Sequence, residues 1–253
     1  MILHSQIIGE GTPFIILHGF LGMSDNWRTL GRKFAEQRYQ MHLVDQRNHG
    51  RSFHHPEFSY RLMADDLLAY CDHHQLDRIV LLGHSMGGKT AMQFAVDHSS
   101  RVEKLIVADI APKAYPQHHQ DILKGLSELD FDVIESRGEA DTALSHYVKE
   151  MGTRQFLLKN LYWKEKGQLG LRINLPVLSQ EVAAVGEALA EEATFDGPTL
   201  FVRGGTSGYI EDWDQLSISK HFPRAILETV PGAGHWVHAE NPAEFYRIVM
   251  EFL

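Results

Sequence analysis

Residues 83–87 read Gly-His-Ser-Met-Gly, and residues 83–90 also read Gly-x-x-x-x-Gly-Lys-Thr. The two patterns overlap and ask for opposite chemistry. In Gly-x-Ser-x-Gly the serine stands at a sharp strand-to-helix turn, its hydroxyl exposed for nucleophilic attack. In the longer pattern, backbone N–H groups and Lys89 would cradle the phosphates of a nucleotide. Each needs an apolar strand before it and a helix after it. Both are present: residues 79–82 are Ile-Val-Leu-Leu, and Ala91, Phe94, Ala95 and His98 form a stripe at helical spacing. One backbone cannot serve both. A nucleophile elbow begins its helix at the serine, so that Lys89 projects from a helix, whereas a phosphate loop stays open through the same residues.

The rest of the chain favours the elbow. A nucleophilic serine needs a base, an acid to orient that base, and N–H donors for the oxyanion. His18-Gly19-Phe20 follows the apolar run at 14–17, which offers the Phe20 N–H beside that of Met86 as an oxyanion hole. Gly234-His235-Trp236 follows the run 225–230, late enough for the base in a Ser…Asp…His order. A phosphate loop leaves both segments without a role, although 105–109 imitates its metal-binding strand. Ser85 is therefore the expected nucleophile and His235 the expected base. Phe20, Leu21, Met86 and Trp236 adjoin them in sequence and are expected to line the pocket, with Phe156, Trp163 and Met151 as candidates to close it. Asp45, Arg47 and His49 lie in a glycine-bearing loop and read as structural hydrogen-bonding groups. His238 reads as pocket wall or surface, and Lys89 as a helix-surface or interhelical charge.

Stepwise alternation of elements must position these groups. Residues 14–17, 41–45, 79–82 and 105–108 are short apolar runs suited to central parallel strands. Trp27, Leu30 and Phe34 mark a helix between the first two, with Ser24 as its N-cap. From 112 to 192 the alternation stops. Helical stripes occur at Ile122/Leu126/Leu129, Leu144/Tyr147/Val148/Met151 and Val182/Val185/Leu189, with a period-two piece at Leu169/Leu171/Ile173. Strand patterns return at 198–203 and 225–230. A final helix opens with Asn241 at the N-cap, Pro242 at N1 and Glu244 at N3. The expected organisation is an α/β core in two parts, 1–111 and 193–253, with a helical cap inserted at 112–192.

Composition excludes other classes. The 253 residues are 43% hydrophobic and 23% charged, which is ordinary for a globular protein. The longest apolar runs fall far short of the roughly 20 residues that span a bilayer, and the amino terminus lacks the pattern of a secretory leader. Lys and Arg number 24 against 33 Asp and Glu, a net charge of −9 that argues against a nucleic-acid partner. Cys71, the single cysteine, lies on an apolar stripe and reads as a buried inert thiol. These features point to a cytoplasmic protein with no membrane partner. The 16 histidines come mostly as scattered pairs (His54–His55, His73–His74, His118–His119) without metal-ligand spacing, and nearly all read as solvated.

The chain resembles the α/β-hydrolase superfamily along essentially its whole length. His18-Gly19-Phe20, the stretch Asp45–Ser52, the Gly83–Gly87 elbow and the segment Gly232–Pro242 carry the resemblance. Within it, Asp-x-Arg-Asn-His-Gly-x-Ser and Ala-Asp109-Ile-Ala-Pro112 look most like the YbfF-type bacterial esterases. The resemblance implies an α/β-hydrolase fold, a mostly parallel central sheet flanked by helices. It also bears on the acid. Many members carry it as Gly-x-x-Asp after the penultimate strand, but here that stretch is Gly204-Gly205-Thr206-Ser207. Glu211, Asp212 and Asp214 follow and look like the first turn of a helix, where acids suit the dipole. Asp109 ends the strand directly after the nucleophile strand, and the matching aspartate is the triad acid in the YbfF-like esterases.

The expectation is thus a serine hydrolase of small-molecule carboxylic esters or thioesters with a Ser85–His235–Asp109 triad, requiring neither cofactor nor metal. C–C bond cleavage or proton abstraction with the same three residues is the alternative. A local basic excess between Lys149 and Arg172 would favour an anionic leaving group such as the phosphates of a CoA thioester, were it to overhang the pocket.

Overall fold

The computed structural model describes residues 1–117 and 119–253. Seven strands form one sheet in the order β1-β3-β2-β4-β5-β8-β9. These are β1 (Ser5–Ile8), β2 (Thr12–Leu17), β3 (Tyr39–Val44), β4 (Ile79–His84), β5 (Val102–Ala108), β8 (Thr199–Gly204) and β9 (Ala225–Val230). Only β1 runs antiparallel to its neighbour. The expected runs coincide with strands to within one residue, 41–45 overshooting β3 and 198–203 starting just before β8; β1, half-exposed, carried no such signal.

The central strands are apolar on both faces because helices cover both. Phe14, Ile16, Val80 and Leu82 pack with Trp27, Leu30 and Phe34 around α1 (Arg28–Ala35), and with Phe245, Ile248 and Val249 of the last helix. Ile15, Leu17, Ile79 and Leu81 face Leu67 and Tyr70 of α2 (Tyr60–His73) and Ala91, Phe94 and Ala95 of α3 (Met86–Asp97). The small residues of α3 let that helix lie close on the sheet. Cys71 is buried on the same side, and burial pushes its thiol up to about 12, so it is inert. Ser24 does not cap α1. It opens a 3-10 turn, Ser24–Trp27, its N–H held by Asp45 Oδ1 and its hydroxyl accepting from Gln6.

Between β5 and β8 the chain forms α4 (Gln120–Ser127), α5 (Arg137–Leu144), α6 (Met151–Leu158), the hairpin β6 (Leu161–Glu165) and β7 (Gln168–Leu171), then α7 (Leu175–Gln180) and α8 (Val182–Val185). The stripe Leu144–Met151 is not one helix. Glu150 is extended, and the Arg154 guanidinium takes the carbonyls of Val148 and Lys149, so the backbone leaves the helix there. The period-two piece is one arm of the β6–β7 hairpin, whose partner carried no clear alternation. Before β9 comes α9 (Asp214–His221), and after it α10 (Val237–Glu240) and α11 (Pro242–Phe252), capped by Asn241 as its sequence indicates.

The turn from β4 into α3 is packed at backbone contact. A Cβ on Gly83 would lie 2.0 Å from the Gly87 carbonyl oxygen, and one on Gly87 would lie 2.4 Å from that of Leu17. Gly83→Ala or Gly87→Ala should lower the urea midpoint by an amount equivalent to about 1–3 kcal/mol or more. Gly152→Ala in α6, where a Cβ meets nothing within 4 Å, should be neutral or stabilising by up to about 1 kcal/mol.

Candidate active site

β4 ends in a turn that few side chains tolerate. Ser85 has φ 53° and ψ −118°, and α3 begins at the next residue. Its N–H donates to the Ala108 carbonyl (3.0 Å), and its own carbonyl accepts the Lys89 N–H as an early bond of the helix. Gly87–Thr90 are therefore helical and cannot form an open phosphate cradle, which corrects the phosphate-loop alternative. Lys89 is not a surface charge either. Its buried amine donates to the carbonyls of Lys113 and Glu187, near the two ends of the insertion, and burial lowers it to about 7.

The neighbouring strand ends the same way. Asp109, at φ 50°, is fully buried beyond the end of β5. Because His84 is in register with Ala108, Ser85 and Asp109 emerge side by side at the carboxyl edge of the sheet. Asp109 Oδ1 accepts the Gly204 N–H at 2.9 Å, and Oδ2 accepts the Ser207 hydroxyl at 2.5 Å. The same Oδ2 lies 2.8 Å from His235 Nδ1, and His235 Nε2 lies 3.0 Å from Ser85 Oγ. The three expected residues thus meet. Asp212 is exposed and paired with Arg203, while Asp214 is buried against Lys113; neither bonds to His235.

Several residues that hold His235 escaped the sequence reading. The loop after β9 approaches the loop after β8 closely: a Cβ on Gly204 would lie 2.1 Å from the Gly234 carbonyl oxygen. Glu240 accepts the N–H groups of both Gly234 and Trp236, and His84 Nε2 donates to the His235 carbonyl. The Tyr209 ring stacks on the imidazole at 3.8 Å. Ser207 stands where Gly-x-x-Asp would place an acid, so the gap in that pattern was a visible signal. Glu240 lies four residues past Trp236, a spacing a helix start makes meaningful. Tyr209 gave no signal.

The loop His18–Leu21 is fixed from behind. His18 Nε2 accepts the Gln46 N–H and its Nδ1 donates to the Gly19 carbonyl; His49 Nε2 accepts the Leu21 N–H. Leu21 is held at φ 59°. Among the described residues, neither the Phe20 nor the Met86 N–H has a protein acceptor. Asp45 accepts from Ser24 and Arg51, and Arg47 grips Asp66 with two nitrogens, so that loop is structural as expected.

A cavity of about 370 Å³ opens over Ser85, with Phe20, Leu21, Trp236 and Phe156 among its walls. The Met86 side chain faces a smaller hollow beside Ser85 instead, and Met151 and Trp163 are exposed outside the cavity. The histidines depart most from expectation. His18, His42, His49, His84, His221 and His238 are buried, His238 stacked on Trp27 at 4.0 Å, whereas His54 and His73 are exposed. His118 lies outside the described residues.

The comparisons with known proteins agree with this architecture. A family model described as the alpha/beta hydrolase fold matches residues 12–242. The chain belongs to the α/β-hydrolase fold family. The chain is similar to the sn-1-specific diacylglycerol lipase ABHD11 of Mus musculus, at 37% identity over 99% of this chain and 84% of that one. It is similar to esterase YbfF of Escherichia coli, at 33% identity over 96% and 94%. A solved structure titled marine microorganism esterase superposes with a TM-score of 0.97 at 40% identity, covering 100% of both chains. This α/β-hydrolase is accordingly an enzyme of the esterase kind. Among its described residues no helix is long and apolar enough to cross a membrane.

Burial lowers His18 from 6.5 to about 4, and His49 and His238 to about 3. In the unfolded chain these rings protonate near 6.5, so below that pH the unfolded state binds more protons. Stability is therefore complete above about 6.5 and falls as the pH drops toward 4, by up to about 1.4 kcal/mol per pH unit for each ring. Thermal unfolding followed from pH 7.5 to 4.5 should show Tm falling below about 6.5. A Tm flat to pH 5 would contradict this burial of neutral rings.

Proposed function

We propose that the protein is a serine esterase acting on small-molecule carboxylic esters, with thioesters as a chemically equivalent class. The observation that carries this reading is the unbroken line from Ser85 Oγ through both ring nitrogens of His235 to Asp109 Oδ2. His235 Nε2 accepts the serine proton as Oγ attacks the ester carbonyl. Asp109 holds the proton on Nδ1, which fixes the tautomer and stabilises the imidazolium. The tetrahedral oxyanion is received by the Phe20 and Met86 N–H groups, which have no acceptor among the described residues. Collapse expels the alcohol, protonated by His235, and leaves an acyl group on Ser85. Water activated by the same imidazole then releases the acid. Proton transfer and nucleophilic attack suffice for this cycle, so no cofactor or metal is required.

Residues 112–192 act as a cap in this reading. Phe156 reaches from α6 to within 5.7 Å of the Trp236 ring, roofing the cavity beside the base. The volume of about 370 Å³ suits a small organic substrate.

An organofluorophosphonate should label Ser85 stoichiometrically, and Ser85→Ala should abolish labelling and lower kcat by roughly 10⁶. Asp109→Asn should fold normally and lose about 10⁴ in kcat, because the ring then takes the wrong tautomer. Asp212→Asn and Asp214→Asn should remain within a few-fold of the parent. A panel of p-nitrophenyl esters measures all four variants, and an inactive Asp212 or Asp214 variant beside an active Asp109 variant would refute this acid.

A further inference from the structure

Resting on that esterase reading, we propose that the cavity over Ser85 selects esters with a cationic, alkylammonium-type group on the portion that fills it. Two independent features of the cavity wall point to this class. The first is charge. Asp121, in the first turn of α4, and Glu150, just before α6, both line the cavity, and no lysine or arginine does so among the described residues. The second is aromatic surface. Phe20, Phe156 and Trp236 line the same space, as does Tyr147, whose ring has Lys124 Nζ 5.8 Å from its centroid. A cation against aromatic faces is attracted by the negative potential of the rings, and neighbouring carboxylates add Coulomb attraction at short range.

None of the basic side chains between Lys149 and Arg172 lines the main cavity, and three of them are engaged elsewhere. Lys149 donates to the carbonyls of Ser145 and His146. Arg154 is tied to Asp141 and to the carbonyls of Val148 and Lys149 just before α6. Arg172 lies over the Tyr162 ring at 4.5 Å. Lys159 lines a second hollow that shares Glu150, Thr153, Phe156 and Trp236 with the main cavity, and it does not line the main cavity itself. None of Lys149, Arg154, Lys159, Lys164, Lys166 and Arg172 lines the main cavity, so on this proposal its wall favours a cationic group over an anionic leaving group such as CoA.

The test compares three esters of one acyl group whose alcohols match in size: 2-(trimethylammonio)ethyl, 3,3-dimethylbutyl and 2-sulfoethyl. The comparison is run at pH 8. At low ionic strength kcat/KM should favour the cationic ester over the neutral one by about tenfold, with the sulfonate slowest. Raising the salt to about 0.5 M should shrink that ratio to about threefold, because the rim carboxylates are solvent-exposed and screened. In the Glu150→Gln, Asp121→Asn double variant the low-salt ratio should fall to a similar value. Glu36→Gln, which does not line the cavity, should leave it unchanged. Hydrolysis of the neutral ester with no cationic preference, or a preference untouched by the double variant, would overturn this inference while sparing the esterase reading. Failure of all three esters together with an unlabelled Ser85 would overturn both.

Discussion

Two adjacent parallel strands each end in a residue forced into the left-handed region, and the site depends on that constraint. Ser85 and Asp109 both have φ near 50°, a conformation that costs a side-chain-bearing residue of order 1 kcal/mol or more. The backbone over-determines both. The Ser85 N–H is held by Ala108, and the Asp109 N–H donates to Val202 on the next strand. Register does the rest, because pairing His84 with Ala108 turns both chains out of the sheet at one level. A slip of one residue would separate the serine from the carboxylate. The glycines at 83 and 87 follow from the same constraint, since the elbow can fold only where backbone meets backbone without a Cβ between them.

His235, the proposed base, comes from far along the chain, and the loop after β9 is held there by bonds to its backbone. Glu240 fixes the N–H groups on either side of His235, while His84, next to Ser85, fixes its carbonyl. His84 thus links the strand that leads into Ser85 to the loop that carries His235. Its ring is fully buried, and that burial, reinforced by His238 and His235 nearby, holds it well below the ordinary histidine range. A neutral ring donates from one nitrogen only, which makes it a directional strut. His18 and His49 serve the loop of Phe20 and Leu21 in the same manner. Neutral imidazoles thus position the groups around Ser85, and the loss of stability in acid follows from it.

Legibility in the sequence followed the range of each interaction. The buried strands, the elbow and the Asn241-capped helix are local patterns of apolar runs, glycine spacing and capping, and each stands where its pattern indicates. The contact of Asp109 with His235 was legible from its place after the strand next to β4. Ser207 and Glu240 left only indirect signals, and Tyr209 and the buried histidines left none, because their contacts run through loops whose course no local pattern records. Lys89 was misjudged for the same reason, since its carbonyl partners belong to segments 24 and 98 residues distant. The helix foreseen across Leu144–Met151 failed because Arg154 competes for its carbonyls, a tertiary choice that periodicity cannot register.

The central claim is that Ser85 forms a covalent acyl intermediate resolved by the same His235 that activated it. Rapid quenching of a reaction with an activated ester, followed by mass mapping of the digested protein, tests it most directly. The account predicts an acyl adduct on the peptide containing Ser85 that appears within the first turnover and decays at the steady-state rate. Product release with no adduct at Ser85, or a kinetically competent adduct on another residue, would contradict it.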